Sequence, residues 1–184
     1  MTEGKLIVAL LKIIRLGHPK IREGAEPVSS EEVRSREIQR LIDDMVETMR
    51  DAHGVGIAAP QVHVSKQIIV IEVSPENPRY PNHPAVPLLV LLNPTITDHA
   101  ETTEAGWEGC LSVPDLRGLV PRWTRLSVSG LDRRGQAVRL DAEGFFARVL
   151  QHEVDHLHGR VFLDRLPDLK TLTHLREYEL FWKS

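Results

Sequence analysis

Asp141-Ala142-Glu143-Gly144-Phe145-Phe146-Ala147-Arg148-Val149-Leu150-Gln151-His152-Glu153-Val154-Asp155-His156-Leu157-His158-Gly159 is the stretch around which the chain is read. No glycine or proline interrupts it between Phe145 and His158, so one helix is expected. Asp141 is placed to cap that helix and Glu143 to put negative charge in its first turn. Gly159 is placed to end it after the last apolar residue, Leu157. Inside lies His152-Glu153-Val154-Asp155-His156, an H-E-x-x-H. Side chains four apart stand one turn above each other, so both imidazoles can reach one metal ion. Glu153 is rotated by about 100° from His152, near the ion's water but not forced to ligate. On an exposed helix the same letters would be a solvated charged face. Phe145, Phe146, Val149, Leu150, Val154 and Leu157 argue instead for burial, and buried histidines beside a buried glutamate are costly unless something binds them.

A chain of 184 residues can bury a core of its own, and we expect one catalytic domain over 1–184, with an N-terminal arm (1–12) and a C-terminal tail (168–184). A formal net charge of −3 gives no reason to expect nucleic acid as a direct ligand. A single cysteine rules out an internal disulfide and fits a reducing compartment, so the cytoplasm is the expected location. The apolar run Leu6 to Leu11 is interrupted by Lys12 and is far too short to span a bilayer. It reads as an extra strand or an ordered arm, with no membrane partner.

Residues 13–28 are punctuated by Gly17, Pro19, Gly24 and Pro27 and read as an extended segment with turns. A helix follows, capped within Ser29-Ser30-Glu31-Glu32, with Ile38, Leu41, Ile42, Met45, Val46 and Met49 at helical spacing as far as about Ala52. Gln67–Val73 is β-branched and reads as a buried strand. Five prolines make residues 74–87 a long surface loop. Leu88–Leu92 reads as a strand stopped by Asn93-Pro94, and 125–131 with 136–140 as a hairpin about Asp132-Arg133-Arg134-Gly135. Val161-Phe162-Leu163 reads as a short strand, and the tail as weakly helical. The expected class is α+β, small mixed or antiparallel sheets around a central metal-binding helix.

A hydrolytic metal site needs three protein ligands and one open position, and H-E-x-x-H supplies two. His158 is poorly placed for the third and His174 lies in the tail. Cys110, the one thiol, within Glu108-Gly109-Cys110-Leu111-Ser112, is the better candidate, and Gly109 lets the backbone approach a neighbour. Gly54-Val55-Gly56-Ile57-Ala58-Ala59-Pro60-Gln61 places small residues and a rigid turn before Gln61, whose amide can donate to an oxyanion.

Together these stretches resemble the peptide deformylase family, marked by G-x-G-[LI]-A-A-x-Q, E-G-C-L-S and Q-H-E-x-D-H-L. Here Gly54–Gln61, Glu108–Ser112 and Gln151–Leu157 occur in that order. Gly17-His18-Pro19, Ile21-Arg22, Arg117 and Val120-Pro121-Arg122 also agree, and the likeness covers roughly residues 13 to 166. The resemblance implies removal of the formyl group from the N-terminal formylmethionine of new polypeptides. It implies that Cys110, His152 and His156 bind one divalent metal ion, with Fe2+ native and Zn2+, Ni2+ or Co2+ as substitutes. Glu153 would be the general base and proton shuttle, and the Gln61 amide and Leu111 backbone N–H the oxyanion donors. The backbone at Gly56 would pair with extended substrate, and Val55, Glu108, Phe145 and Val149 would line the methionine pocket. Arg148 falls near that pocket, where an apolar residue is easier to understand; its stem is expected to line the wall while its head reaches water. Ile57, where leucine is more usual, and the long proline-rich loop depart from the pattern, and neither the first twelve residues nor the tail has a match.

Two rival readings remain at this point. An H-E-x-x-H metallopeptidase would need a third His or Glu ligand, and a non-catalytic metal-stabilised binding module would need four closed ligands. The expected partners are N-formyl-methionyl nascent peptides, with transient proximity to the ribosome. From Arg165 onward the tail carries four basic residues against three acidic ones, too small an excess for RNA binding. Leu169, Leu172, Leu175, Phe181 and Trp182 suit packing on its own domain or a second subunit.

Overall fold

A computed structural model describes residues 8–79 and 83–183. Extended chain leads to a 3-10 turn at Pro19–Arg22, then helices α1 (Ser30–Val33) and α2 (Arg36–Asp51). Strand β1 (Gly56–Ala58) runs into a 3-10 turn at Ala59–Val62, followed by β2 (Ile68–Val73), β3 (Val86–His99), β4 (Thr103–Cys110), β5 (Val113–Trp123), β6 (Arg125–Leu131) and β7 (Ala137–Glu143). Helix α3 (Gly144–Leu157) follows, then 3-10 turns at Phe162–Arg165 and Leu169–Thr171, β8 (Thr173–His174) and α4 (Leu175–Phe181). The strands form a five-stranded sheet, ordered β1-β2-β3-β6-β7, and a three-stranded sheet, ordered β4-β5-β8. Every strand pair is antiparallel, and the class is α+β.

The large sheet is a slab between two helices, which explains why β2 is apolar without alternation. Ile68 and Val70 join the core under α2, with Ile42, Met45 and Met49. Ile69 and Ile71 join the opposite core under α3, with Leu150, Val154 and Leu157. Period-2 geometry sends successive side chains to opposite faces, and here both faces are covered. A third cluster, containing Ile14, Ile21, Cys110, Val120 and Phe162, seals the small sheet beside the end of α3.

Several boundaries differ from the sequence reading, each for an identifiable physical reason. The single helix expected from Ser29 is two. Ser29 and Glu32 form a reciprocal capping box on α1, and the Ser35 side chain then accepts from the Ile38 N–H to start α2 afresh. Asn93-Pro94 does not stop β3. The register shifts between Leu92 and Thr95, Asn93 takes φ +52°, and its amide exchanges hydrogen bonds with the Val28 backbone at 2.8 and 2.9 Å. A bulge of this kind tolerates a proline inside a strand. Asp141 does not cap α3, because Asp141 and Glu143 are paired with Ser127 and Arg125 in β7. The helix begins at Gly144, with Glu143 at the N-cap position making no side-chain bond.

Gly159 ends α3 as expected. It adopts φ +69° and its Cα lies so near Arg22 that a Cβ would stand 2.3 Å from the carbonyl oxygen. The strand expected at Val161–Leu163 is a 3-10 turn, fixed by Asp164 accepting from the Val161 N–H at 2.8 Å. The N-terminal run forms no strand among the described residues, and residues 1–7 lie outside them. Its described part is an ordered arm, with Ala9 N–H donating to Asp44 and Leu11 N–H to Thr48 on α2. The tail packs on its own domain, where β8 pairs with β5 through Leu116 and Arg117.

Candidate active site

Three elements meet around the largely buried His152–His156 turn of α3: the helix itself, the turn after β1, and the β4–β5 hairpin. Cys110 ends β4, and the antiparallel pairing of β4 with β5 carries it to the helix. Its Sγ lies 3.2 Å from His156 Nε2. Ligand atoms of Cys110, His152 and His156 all lie within 4.8 Å of one another. The other two candidate ligands are elsewhere: His158 Nδ1 lies 2.9 Å from the Val154 carbonyl of its own helix, and His174 sits in β8.

Electrostatics suit these three residues to a cation. Burial alone would raise the Cys110 thiol, but the adjacent His156 and His152 outweigh it and hold the thiol well below its usual range. His152 Nδ1 donates to Glu108 Oε2 at 2.9 Å, which orients the ring and leaves Nε2 for the cluster, the arrangement common to metal-bound histidines. Among the described residues, the buried side-chain polar atoms without a hydrogen-bond partner are Glu153 Oε2 and His156 Nδ1. A thiolate with two imidazoles suits Zn2+, Fe2+, Ni2+ or Co2+ rather than Mg2+ or Ca2+, which prefer oxygen donors. Three protein ligands leave a coordination position for chemistry, and the residues therefore fit a catalytic ion.

Glu153 follows His152 on α3 and points at β1. Its carboxylate occupies the space a side chain would take at position 56: a Cβ on Gly56 would stand 2.3 Å from Glu153 Oε1. Burial, the dominant influence, pushes this carboxyl up to about 7. Gln61, 1 % exposed, is held by its Oε1 accepting from the Ala58 N–H at 2.8 Å. That bond fixes the amide orientation, so Nε2 faces Ser112 Oγ at 3.1 Å and Cys110 Sγ at 3.5 Å. Leu111 stands at the turn after Cys110. Gly56 pairs with Ile71 across β1 and β2, and β1 is the first strand of its sheet, so its other edge pairs with no strand among the described residues.

A cavity of about 40 Å3 beside these groups is lined by Val55, Gly56, Glu108, Phe145, Arg148 and Val149 among others. The structure thus brings together every site residue expected from sequence. The Arg148 head, expected to reach water, does so only in part: the side chain is 12 % exposed and its donors are mostly met by protein acceptors. The guanidinium donates to Glu108 Oε1 at 2.9 Å and to the Val120, Gly106 and Glu104 carbonyls at 2.7, 3.3 and 2.7 Å. It lies over Gly106, where a Cβ would be 2.7 Å from Nη2. Glu108 does more than line a pocket. Burial opposes its ionisation, yet His152 and Arg122 hold it well below the usual carboxylate range.

Sequence reasoning missed the charged network behind the ligands. Arg122, 4 % exposed, grips both oxygens of Glu108 at 2.9 and 3.0 Å and donates to Asp155 Oδ2 at 2.5 Å. Arg165 holds the same aspartate from outside. The signal available was an acid between the two histidines of an otherwise buried helix. Gly109 meets the neighbour it was expected to admit: a Cβ there would stand 2.2 Å from Arg117 Nη1.

The chain's relatives are consistent with this geometry. A family model described as polypeptide deformylase matches residues 10–172. Peptide deformylase 1 of Bordetella pertussis is 50% identical over 157 residues, covering 85% of this chain and 88% of that protein. Peptide deformylase 2 of a Nostoc species is 44% identical over 176 residues, covering 95% and 97%. The fold superposes with a TM-score of 0.83 and 41% identity on a Met-Ala-Ser-bound crystal structure of class I type b peptide deformylase from Acinetobacter baumannii, covering 87% of this chain and 100% of that one.

Proposed function

The chain belongs to the peptide deformylase family and removes the formyl group from the N-terminal formylmethionine of new polypeptides, and on that premise we propose the roles of its residues. Cys110, His152 and His156 hold the family's single metal, native as Fe2+. When bound, a divalent ion supplies Lewis acidity, which makes water acidic enough to act as hydroxide near neutral pH.

Glu153 takes a proton from the attacking water as its oxygen bonds to the formyl carbon. It later delivers that proton to the departing nitrogen as the C–N bond breaks, giving a free methionyl amine and formic acid, which releases its remaining proton to become formate. Burial pushes this carboxyl upward from the ordinary carboxylate range, the direction that suits a group which must both accept and return a proton. The Gln61 amide and the Leu111 N–H donate to the oxygen that gains charge, each worth about 2.7–4 kcal/mol in such a role. Val55, Phe145 and Val149 take the methionine side chain, with the outer edge of β1 at Gly56 available to the peptide backbone.

The observation that carries this reading is the buried Glu153 carboxylate, unpartnered at Oε2 and set beside a Cys-His-His donor group. The test is Glu153→Ala, assayed on a formyl-Met peptide with metal content measured in parallel. It should keep its metal and lose about 10²–10⁴-fold in kcat; near-normal turnover would show that another group moves the proton. Anaerobic purification with elemental analysis tests the iron.

We place the enzyme in the cytoplasm, meeting nascent chains near the ribosome only transiently. The single cysteine supports this, as does the near-neutral charge of the tail. No helix among the described residues is long and apolar enough to cross a membrane.

A further inference from the structure

Beyond the methionine pocket the site opens into a groove of about 810 Å3. Trp107, Cys110, Leu111, Arg79, Phe145 and Arg148 line both spaces, so the two are continuous. On one side stand Pro78, Arg79 and His83, with the His83 ring stacked on Phe145 at 3.7 Å. On the other stands α4, contributing Leu175, Tyr178, Glu179 and, just past its end, Lys183.

The helix is held there by the tail's own chemistry. Pairing of β8 with β5 delivers it, and Tyr178 and Trp182 pack against the Trp107 indole with ring centroids 5.1 and 5.6 Å away. Leu175, Tyr178, Glu179 and Trp182 recur at spacings of three and four, so one face of the helix meets the groove. Leu180 and Phe181 lie off that face, 62 % and 73 % exposed.

We infer that α4 is the outer wall of the subsite for the residues that follow formylmethionine, a reading that rests on the assignment of the formyl site above. Three facts favour an extended peptide as the occupant. The groove continues from the methionine pocket, where the rest of the polypeptide must emerge. Seven residues of helix span about 10 Å, the length of roughly three extended residues. Finally, the Glu104 and Gly106 carbonyls of β4 are already taken by Arg148, so a peptide over this floor is held by side-chain surfaces rather than by strand addition to β4. Trp107 and Tyr178 supply the apolar surface, and Glu179 and Lys183 place one charge of each sign at the rim.

The experiment compares formyl-Met-Ala amide with formyl-Met-Ala-Ser-Leu amide on wild type, Tyr178→Ala and Phe181→Ala. Tyr178→Ala should lower the ratio of kcat/KM, longer to shorter substrate, by roughly fivefold to tenfold through KM, the scale of one aromatic contact. Phe181→Ala, off the groove face, should keep the wild-type ratio. Equal loss on both substrates, or no change in the ratio, overturns the proposal. Should Tyr178→Ala not fold, Glu179→Lys on peptides with Lys or Glu as fourth residue decides: preference should shift towards Glu by about threefold, and an unshifted preference refutes the wall. If wild type hydrolyses neither peptide, the formyl-site assignment fails instead. The wall then stands or falls on calorimetric binding of Met-Ala-Ser-Leu, which Tyr178→Ala must weaken.

Discussion

Arg148 and Gly106 form a lock whose strength can be measured. An alanine at position 106 would place its Cβ 2.7, 2.8 and 2.9 Å from Nη2, Cζ and Nε of Arg148. Three atoms of one rigid plane are affected, so rotation of the tip gives no relief and the guanidinium must leave. It would abandon the Glu108 carboxylate and three carbonyls at a side chain only 12 % exposed. A hydrogen bond to a charged group contributes about 1.5–3 kcal/mol, and Glu108 keeps its grip on Arg122. Gly106→Ala should therefore cost about 2–4 kcal/mol of stability. Arg148→Leu loses the same bonds but fills part of the space, at about 2 kcal/mol. In the Arg148→Leu background the added methyl meets no guanidinium, and Gly106→Ala should then cost less than about 0.5 kcal/mol. Urea unfolding of the four proteins gives a coupling energy, with kcat/KM on a formyl-Met peptide as a second readout, since a loosened Glu108 orients His152 less firmly. Additive effects within about 0.5 kcal/mol would refute the lock and leave Gly106 an incidental glycine.

Other outcomes follow from the same coordinates. Cys110→Ala should bind metal far more weakly by elemental analysis, and full occupancy would place the third ligand elsewhere. Gly56→Ala should lose activity with little loss of metal, because its Cβ displaces the Glu153 carboxylate rather than a ligand; unchanged kcat would contradict the contact. The Glu72 carboxyl is held below its ordinary 4.5 by hydrogen bonds from Arg50. Its contribution, up to about 1 kcal/mol for a surface pair, should be full above pH 4.5 and fade as pH falls through the lowered value. Urea melts of wild type and Glu72→Gln should therefore converge in acid, and a constant difference would count against the pair. Deleting residues 168–184 should lower the melting temperature and leave ribosome co-sedimentation at low and moderate salt unchanged; normal melting with loss of a salt-sensitive association would make the tail an anchor.

Much of the fold was legible because burial writes itself into pattern. The α2 face, the unbroken apolar run of β2 and the hairpin at Asp132–Gly135 each follow from a period and a turn. Two of the errors lie where a local signal was outweighed by a partner distant in sequence, and two others where a cap only three residues away redirected the chain. Asn93-Pro94 looks like a stop, but the Asn93 side chain finds the Val28 backbone 65 residues away, and the strand continues through a bulge. Asp141 looks like a cap, but Ser127 and the edge of β6 claim it first. Strands β4 and β5 left no clean alternation to read, since a strand carrying buried Glu108, Cys110, Arg117 and Arg122 is not apolar on its inner face.

That last point explains the site as well. Ligands and base were readable because metal chemistry restricts residue type and spacing within one helix. The residues that orient them obey no such spacing. Arg122 reaches Glu108 and Asp155 across 14 and 33 residues, and Arg148 reaches Glu108 across 40, so their roles exist only once the two sheets and α3 are assembled. An arginine among pocket residues looks anomalous while the pocket is imagined as a lining. It ceases to be anomalous when the pocket also has a frame: Glu108 needs its charge balanced where His152 must not move, and a buried carboxylate with one arginine removed would be left partly uncompensated. The same network reaches the surface at Arg165, whose bonds to Asp155 tie the chain after α3 to the ligand helix. The tail that follows leads through β8 to α4 and the groove, so the chain leaves the site from its frame and returns to it as the inferred wall.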